Sequence, residues 1–112
     1  MAAQEHYVMV CEGEWDLARA EEFARRASAA LASRAELLIL DFRSATFVEA
    51  STVGAICALA RAGWERGMAV AVVCGAGMVE RVFELVRLAD VVPVVATPED
   101  ALPGTSGAAK LP

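Results

Sequence analysis

Short, densely apolar blocks alternate along this chain with longer blocks whose apolar residues return every three or four positions. Glu5 to Cys11 (EHYVMVC) alternates in part, carries Tyr and two Val, and stops at Glu12-Gly13, which predicts a first strand. Asp16 then precedes a helix-forming run. In it Leu17, Ala20, Phe23, Ala24, Ala27 and Leu31 form one apolar stripe, while Arg19, Glu22, Arg25 and Arg26 fall mostly outside it and are expected in solvent. Glu36 to Phe42 is apolar at odd and even positions alike, the pattern of a central strand covered by helices on both faces. A second helix is predicted from about Ser51, with Val53, Ile56, Cys57, Ala60 and Trp64 on one side, ending near Arg66-Gly67 in a left-handed glycine cap.

Met68 to Cys74 predicts a third strand, Gly75-Ala76-Gly77 a turn, and Met78 to Leu88 a third helix burying Val79, Val82, Phe83 and Val86. Val91 to Ala96 predicts a last strand. Pro93 removes a ladder donor there and sends it to a sheet edge. Thr97 and Pro98 are suited to cap and open a short final helix. Strands alternating with helices of ordinary length predict a single α/β domain: a mostly parallel sheet of four to five strands with helices packed against it. The domain is expected over 1–103, with 104–112 a flexible tail.

Composition narrows the functional classes. With 112 residues, 57% of them hydrophobic and 22% charged, the chain can bury one sizeable core. The longest apolar run, Met68 to Cys74, is far short of the roughly 20 residues that span a bilayer, so no membrane insertion is expected. The opening residues carry no basic flank and soon meet Glu5, which points to a cytoplasmic protein. A net charge of −5 provides no basic stripe for nucleic acid. Cys11, Cys57 and Cys74 are an odd set without a C-x-x-C pair, and His6 is the single histidine. The reading is therefore reduced, buried thiols, no metal site and no cofactor.

The stretch richest in chemistry is Leu37 to Gly54, LLILDFRSATFVEASTVG. A buried strand runs into Asp41-Phe42-Arg43, a short loop carries the apolar pair Phe47-Val48, and Glu49-Ala50-Ser51-Thr52 opens a helix. Two hydroxyls thus stand at a helix start beyond the carboxyl end of a strand, where unpaired N–H groups and the helix dipole favour an anion, including a phosphate on a side chain. Taken locally, the simplest reading is Ser51 as a plain N-cap, Thr52 as a first-turn residue and Glu49 as a solvated charge near the helix start.

Three segments, in order and at matching spacing over positions 5 to 102, resemble the STAS domain of anti-sigma factor antagonists. Gly13-Glu14-Trp15-Asp16-Leu17-Ala18 is similar to that family's G-x-x-D-hydrophobic entry to its first helix. Leu37 to Gly54 is similar to its apolar strand, D-hydrophobic, T-F-[IV]-D-S-S-G-hydrophobic-G pattern, and Met78 to Val94 to its V-x-x-hydrophobic-hydrophobic-E-L-x-x-L-D-x-hydrophobic-P-[IV] end. Thr46, Phe47, Val48, Ser51, Val53 and Gly54 fit the central pattern. Glu49 stands for its Asp, Ala50 for its first Ser and Thr52 for its first Gly.

The resemblance implies a bacterial regulator of transcription that works by partner switching and is not itself an enzyme. Unphosphorylated, it would bind an anti-sigma factor with serine kinase activity and release the sigma factor. Phosphorylation at Ser51 (with Thr52 as the lesser candidate) would reverse this, and a serine phosphatase would reset it. The resemblance places partner binding at Glu49, Ala50, Ser51, Thr52 and Val53, with ATP belonging to the partner. Two other classes remain. One is a STAS subunit of a lipid-transport ABC system, docking on its ATPase without phosphorylation and distinguished by permease and ATPase genes beside its own. The other is a small ligand-binding or enzymatic domain using Gly75 to Gly77, a turn that lacks G-x-G-x-x-G and the P-loop Lys.

Overall fold

The computed structural model describes residues 5–102. Its main sheet is formed by four parallel strands in the order β1 (His6–Val10), β3 (Leu37–Asp41), β5 (Ala69–Val73) and β6 (Val94–Val95). A second, two-stranded parallel ribbon pairs β2 (Gly13–Trp15) with β4 (Ala45–Val48). The helices are α1 (Ala20–Ala32), α2 (Ala50–Glu65) and α3 (Met78–Leu85). The expected α/β class and parallel sheet are found. The expected tail, 104–112, lies outside the described residues.

The ribbon is an element that the sequence pattern did not reveal. The chain leaves β1 through Cys11, whose N–H donates to the Asp41 carbonyl, and resumes pairing at Gly13, whose N–H donates to the Ser44 carbonyl. The Phe42 N–H still donates to Val73, so after Phe42 the β1–β3 pair peels away from β5 and continues as β2–β4. The predicted end of the first strand at Glu12-Gly13 is therefore only an interruption, and the predicted loop around Phe47-Val48 is a strand.

β3 is buried at all five positions, as its unbroken apolar run requires, but the two covers differ from those expected. One face, with Leu38, Leu40, Val70 and Val72, meets Phe23 and Ala30 of α1 and Ile56, Leu59 and Ala60 of α2. The other, with Leu37, Ile39, Ala71 and Val73, packs against Ala101 and Leu102, and no long helix covers it among the described residues. That segment is a 3-10 turn, Pro98–Ala101, and the predicted cap is in place: the Asp100 N–H donates to the Thr97 hydroxyl. Gly63 lets α2 approach β5, since a Cβ there would stand 3.0 Å from Cγ2 of Val70. Gly67 takes the left-handed conformation (φ +81°) that ends the helix.

Several boundaries move. Leu17 leaves the predicted stripe: it lies in a 3-10 turn, Leu17–Arg19, before α1 begins, and is 68% exposed. α3 stops at Leu85 because Arg87 turns left-handed (φ 58°) and starts a 3-10 turn, so Val86, expected in the core, is exposed. The last strand contracts to Val94–Val95 at the sheet edge, where Pro93 still offers its carbonyl to the Val72 N–H. Among the thiols, Cys11 and Cys74 are buried and Cys57 only half-buried. Burial pushes Cys11 up to about 12 and, with Glu80 and Glu84 nearby, Cys74 up to about 11. A thiol-reactive probe at neutral pH is therefore expected to label Cys57 in the native protein and to reach the other two only on unfolding, as peptide mapping would reveal. Because both folded values lie above the ordinary thiol value, their contribution to stability is complete below that value and declines as pH rises past it.

Candidate functional site

The site is the junction where the β2 exit meets the start of α2. Helix α2 begins at Ala50, so Glu49 holds the N-cap position in extended conformation (φ −96°, ψ 161°), and Ser51 and Thr52 are the second and third helical residues. Ser51 thus lies two residues inside the cap position expected for it. The Thr52 and Val53 N–H groups donate to the Glu49 carbonyl, and the Glu49 N–H donates to the Trp15 carbonyl at 2.9 Å. These bonds fix the helix start against the last residue of β2.

The two hydroxyls have different fates. Ser51 is exposed, and its Oγ lies 3.4 Å from Oε1 of Glu49, a long contact that commits it weakly. Thr52 is buried at 6% exposure, and its hydroxyl donates to the Trp15 carbonyl at 3.0 Å. The same carbonyl thereby accepts from both Glu49 and Thr52. Thr52→Val is expected to cost about 1–2 kcal/mol through loss of that buried hydrogen bond, read as a lowered thermal unfolding midpoint.

Of the other residues expected at the partner surface, Ala50 is exposed, Val53 is buried and Glu49 is half-buried. Glu49 is not a free solvated charge: its Oε1 accepts the Leu17 N–H at 2.7 Å. Asp16 caps the adjoining turn by accepting the Ala18 N–H at 3.1 Å. Leu17 is therefore an exposed apolar side chain on a backbone held from both sides, beside the helix start. Phe47 (39% exposed) and Met78 (62% exposed) are further exposed apolar groups of β4 and of the start of α3, elements that pack on one another. The sequence reading missed the exposure of Leu17. The usable signal was Asp16, whose capping bond ends one pattern and starts another.

Beneath the junction, Trp15 is fully buried, edge-on to Phe23 with ring centroids 5.8 Å apart. Arg19, expected in solvent, instead lays its guanidinium 3.6 Å from the Trp15 ring centroid and donates to the Glu12 and Glu14 carbonyls. Its remaining donors meet Glu22 at 2.9 Å, which holds that carboxyl below its usual range. At the end of β3, Asp41 takes a bidentate Arg43 at 3.0 and 2.8 Å, and this hydrogen bonding lowers its carboxyl. That pair pins the β3–β4 turn that delivers the chain to α2.

Gly75 to Gly77 is an exposed turn before α3, and His6 is an exposed residue of the β1 edge strand. Among the described residues no group of three or more His, Cys, Asp or Glu side chains is placed to hold a metal, and no helix is long and apolar enough to cross a membrane.

Fold and site together define a small parallel α/β domain whose exposed seryl hydroxyl stands at the head of a helix. The sequence profile of the STAS domain family matches residues 2–101, and the chain belongs to that family. Among solved structures, it is similar to an anti-sigma factor antagonist from Mycobacterium paratuberculosis, with a TM-score of 0.80 at 20% identity, covering 90% of this chain and 86% of the other. It is also similar to the anti-sigma factor antagonist SpoIIAA in its unphosphorylated form (TM-score 0.70, 24% identity, 90% and 88% covered). The STAS domain of a SulP transporter from Vibrio cholerae shares the fold as well (TM-score 0.67, 20% identity, 90% and 80% covered). No curated protein matches the sequence.

Proposed function

We propose that this protein is an anti-sigma factor antagonist whose unphosphorylated form binds an anti-sigma factor with serine kinase activity, releasing the sigma factor. Phosphorylation of Ser51 reverses the binding, and a serine phosphatase restores it. The observation that carries this reading is the contrast between adjacent hydroxyls: Ser51 is exposed and weakly committed, whereas Thr52 is buried and donated to Trp15. In the transfer, Oγ of Ser51 attacks the terminal phosphorus of ATP held by the partner. The Oγ–P bond forms as the bond to the ADP oxygen breaks, and the hydroxyl proton passes to a base of the kinase. The chain acts as binder and substrate, and the ATP site belongs to the partner.

Phosphate at this position adds a charge of about −1.5 to −2 where the helix dipole and the first N–H groups favour it, so the fold tolerates the modification. The exposed groups around it, Ala50 and the apolar Leu17, suit a partner surface that accepts a neutral hydroxyl and would have to desolvate a dianion.

A second reading, a STAS unit docking on a membrane transport protein without phosphorylation, draws on the likeness to the SulP domain. Capture of partners from the native cell with wild-type protein and with Ser51→Ala separates the two. A serine-kinase anti-sigma factor, retained longer by Ser51→Ala when ATP is present, supports the proposal. A transport ATPase or permease held equally by both proteins overturns it.

A further inference from the structure

One carboxylate oxygen serves two parts of the junction at once. Oε1 of Glu49 accepts the Leu17 N–H at 2.7 Å and is the oxygen that faces the Ser51 hydroxyl at 3.4 Å. The Leu17 bond is short and charge-assisted, and it joins residues 32 positions apart in sequence. It ties the turn that bears an exposed leucine to the residue that opens α2. The Ser51 contact is the weaker of the two and tolerates the carboxylate only because a neutral hydroxyl offers it a proton.

We infer that Glu49 is a relay: a phosphate on Ser51 expels its carboxylate from the Leu17 N–H and frees the Leu17 turn, so that modification at one residue dismantles a second part of the docking face. Phosphorylation removes the hydroxyl proton that faces Glu49 and places phosphate oxygens in the same space. Two like-charged groups cannot both stay there, and the asymmetry between them decides which leaves. The phosphate is covalently fixed at the second residue of a 16-residue helix, where the dipole and the open N–H groups favour it. The Glu49 carboxylate is held by the Leu17 N–H alone, a bond that repulsion from the phosphate breaks as the side chain swings out on its own rotatable bonds. The turn then keeps its internal bonds (the Asp16 cap on Ala18, the Arg19 N–H to the Asp16 carbonyl and the Ala20 N–H to the Leu17 carbonyl) but loses the one tie between Leu17 and the start of α2, and the leucine side chain loses its fixed place beside that helix.

The relay deepens the proposed function, since it concerns the consequence of modifying Ser51. Its test nevertheless needs no kinase. Phosphoserine is installed at position 51 of the full chain during translation, and exchange of the Leu17 amide with water is followed by NMR. The expected result is exchange faster by about tenfold or more at Leu17, with β3 amides unchanged as evidence of an intact fold. Ser51→Ala, which adds no charge, is expected to leave Leu17 as in the wild type. Glu49→Gln, which keeps an acceptor oxygen but no charge, is expected to blunt the response to phosphoserine.

A Leu17 amide that exchanges as slowly with phosphoserine as with serine overturns the relay, whether Glu49 has stayed or a phosphate oxygen has taken its place. An equal response with Glu49→Gln overturns it too. Either failure leaves the Ser51 switch standing, and failure to find a kinase leaves the relay standing.

Discussion

Trp15→Ala is expected to lower stability by about 3–5 kcal/mol, the range for emptying a fully buried aromatic site. The loss should appear as an earlier urea midpoint. The ring lies edge-on to Phe23 and beneath the Arg19 guanidinium, which also holds the carbonyls of Glu12 and Glu14. Removing the ring therefore leaves Arg19 without its platform and β2 without its inner packing. The Trp15 carbonyl is the acceptor for both Glu49 and Thr52, so a loosened β2 also loosens the start of α2. Trp15→Phe should cost much less. It keeps an edge-on ring and loses no protein hydrogen bond, because the indole N–H is buried without an acceptor among the described residues. A similar cost for both variants would show that the polar framework outweighs the ring.

The second large effect falls on binding rather than stability. Ser51→Asp is expected to weaken binding of the anti-sigma partner by a hundredfold or more, equivalent to about 3 kcal/mol, while Ser51→Ala binds at least as tightly as the wild type. The difference arises because Asp brings a charge that the partner must desolvate, whereas Ala removes only a weakly held hydroxyl. Titration calorimetry with the purified partner gives both values. Both variants should unfold at nearly the wild-type temperature, since Ser51 is exposed and a negative charge at a helix start is favourable. A binding loss accompanied by a large drop in unfolding temperature would instead mark Ser51 as a residue of the fold.

Much of the architecture was legible in the sequence because its signals are local. The apolar run of β3, the spacing of Ile56 and Ala60, the glycine cap at Gly67 and the Thr97-Pro98 start all act within a few residues and all appear in place. The β2–β4 ribbon was not legible, because strands of three and four residues carry too little periodicity and depend on a partner about 30 positions away. For the same reason Arg19 was misplaced: nothing in its neighbourhood announces that Trp15 will lie under it. At the site, the sequence located the helix start to within two residues. It ranked Ser51 above Thr52 by the family resemblance and not by burial, because the difference in burial is made by the Trp15 carbonyl, 37 positions before Thr52. Leu17 was misread because a stripe counted through it assumes one continuous helix, whereas the Asp16 cap begins a separate turn.

The most direct test of the central claim is site mapping by mass spectrometry after incubation of the protein with its serine-kinase partner and ATP. The account predicts phosphate on Ser51 and none on Thr52. Phosphate on Thr52, or on neither residue, would contradict it.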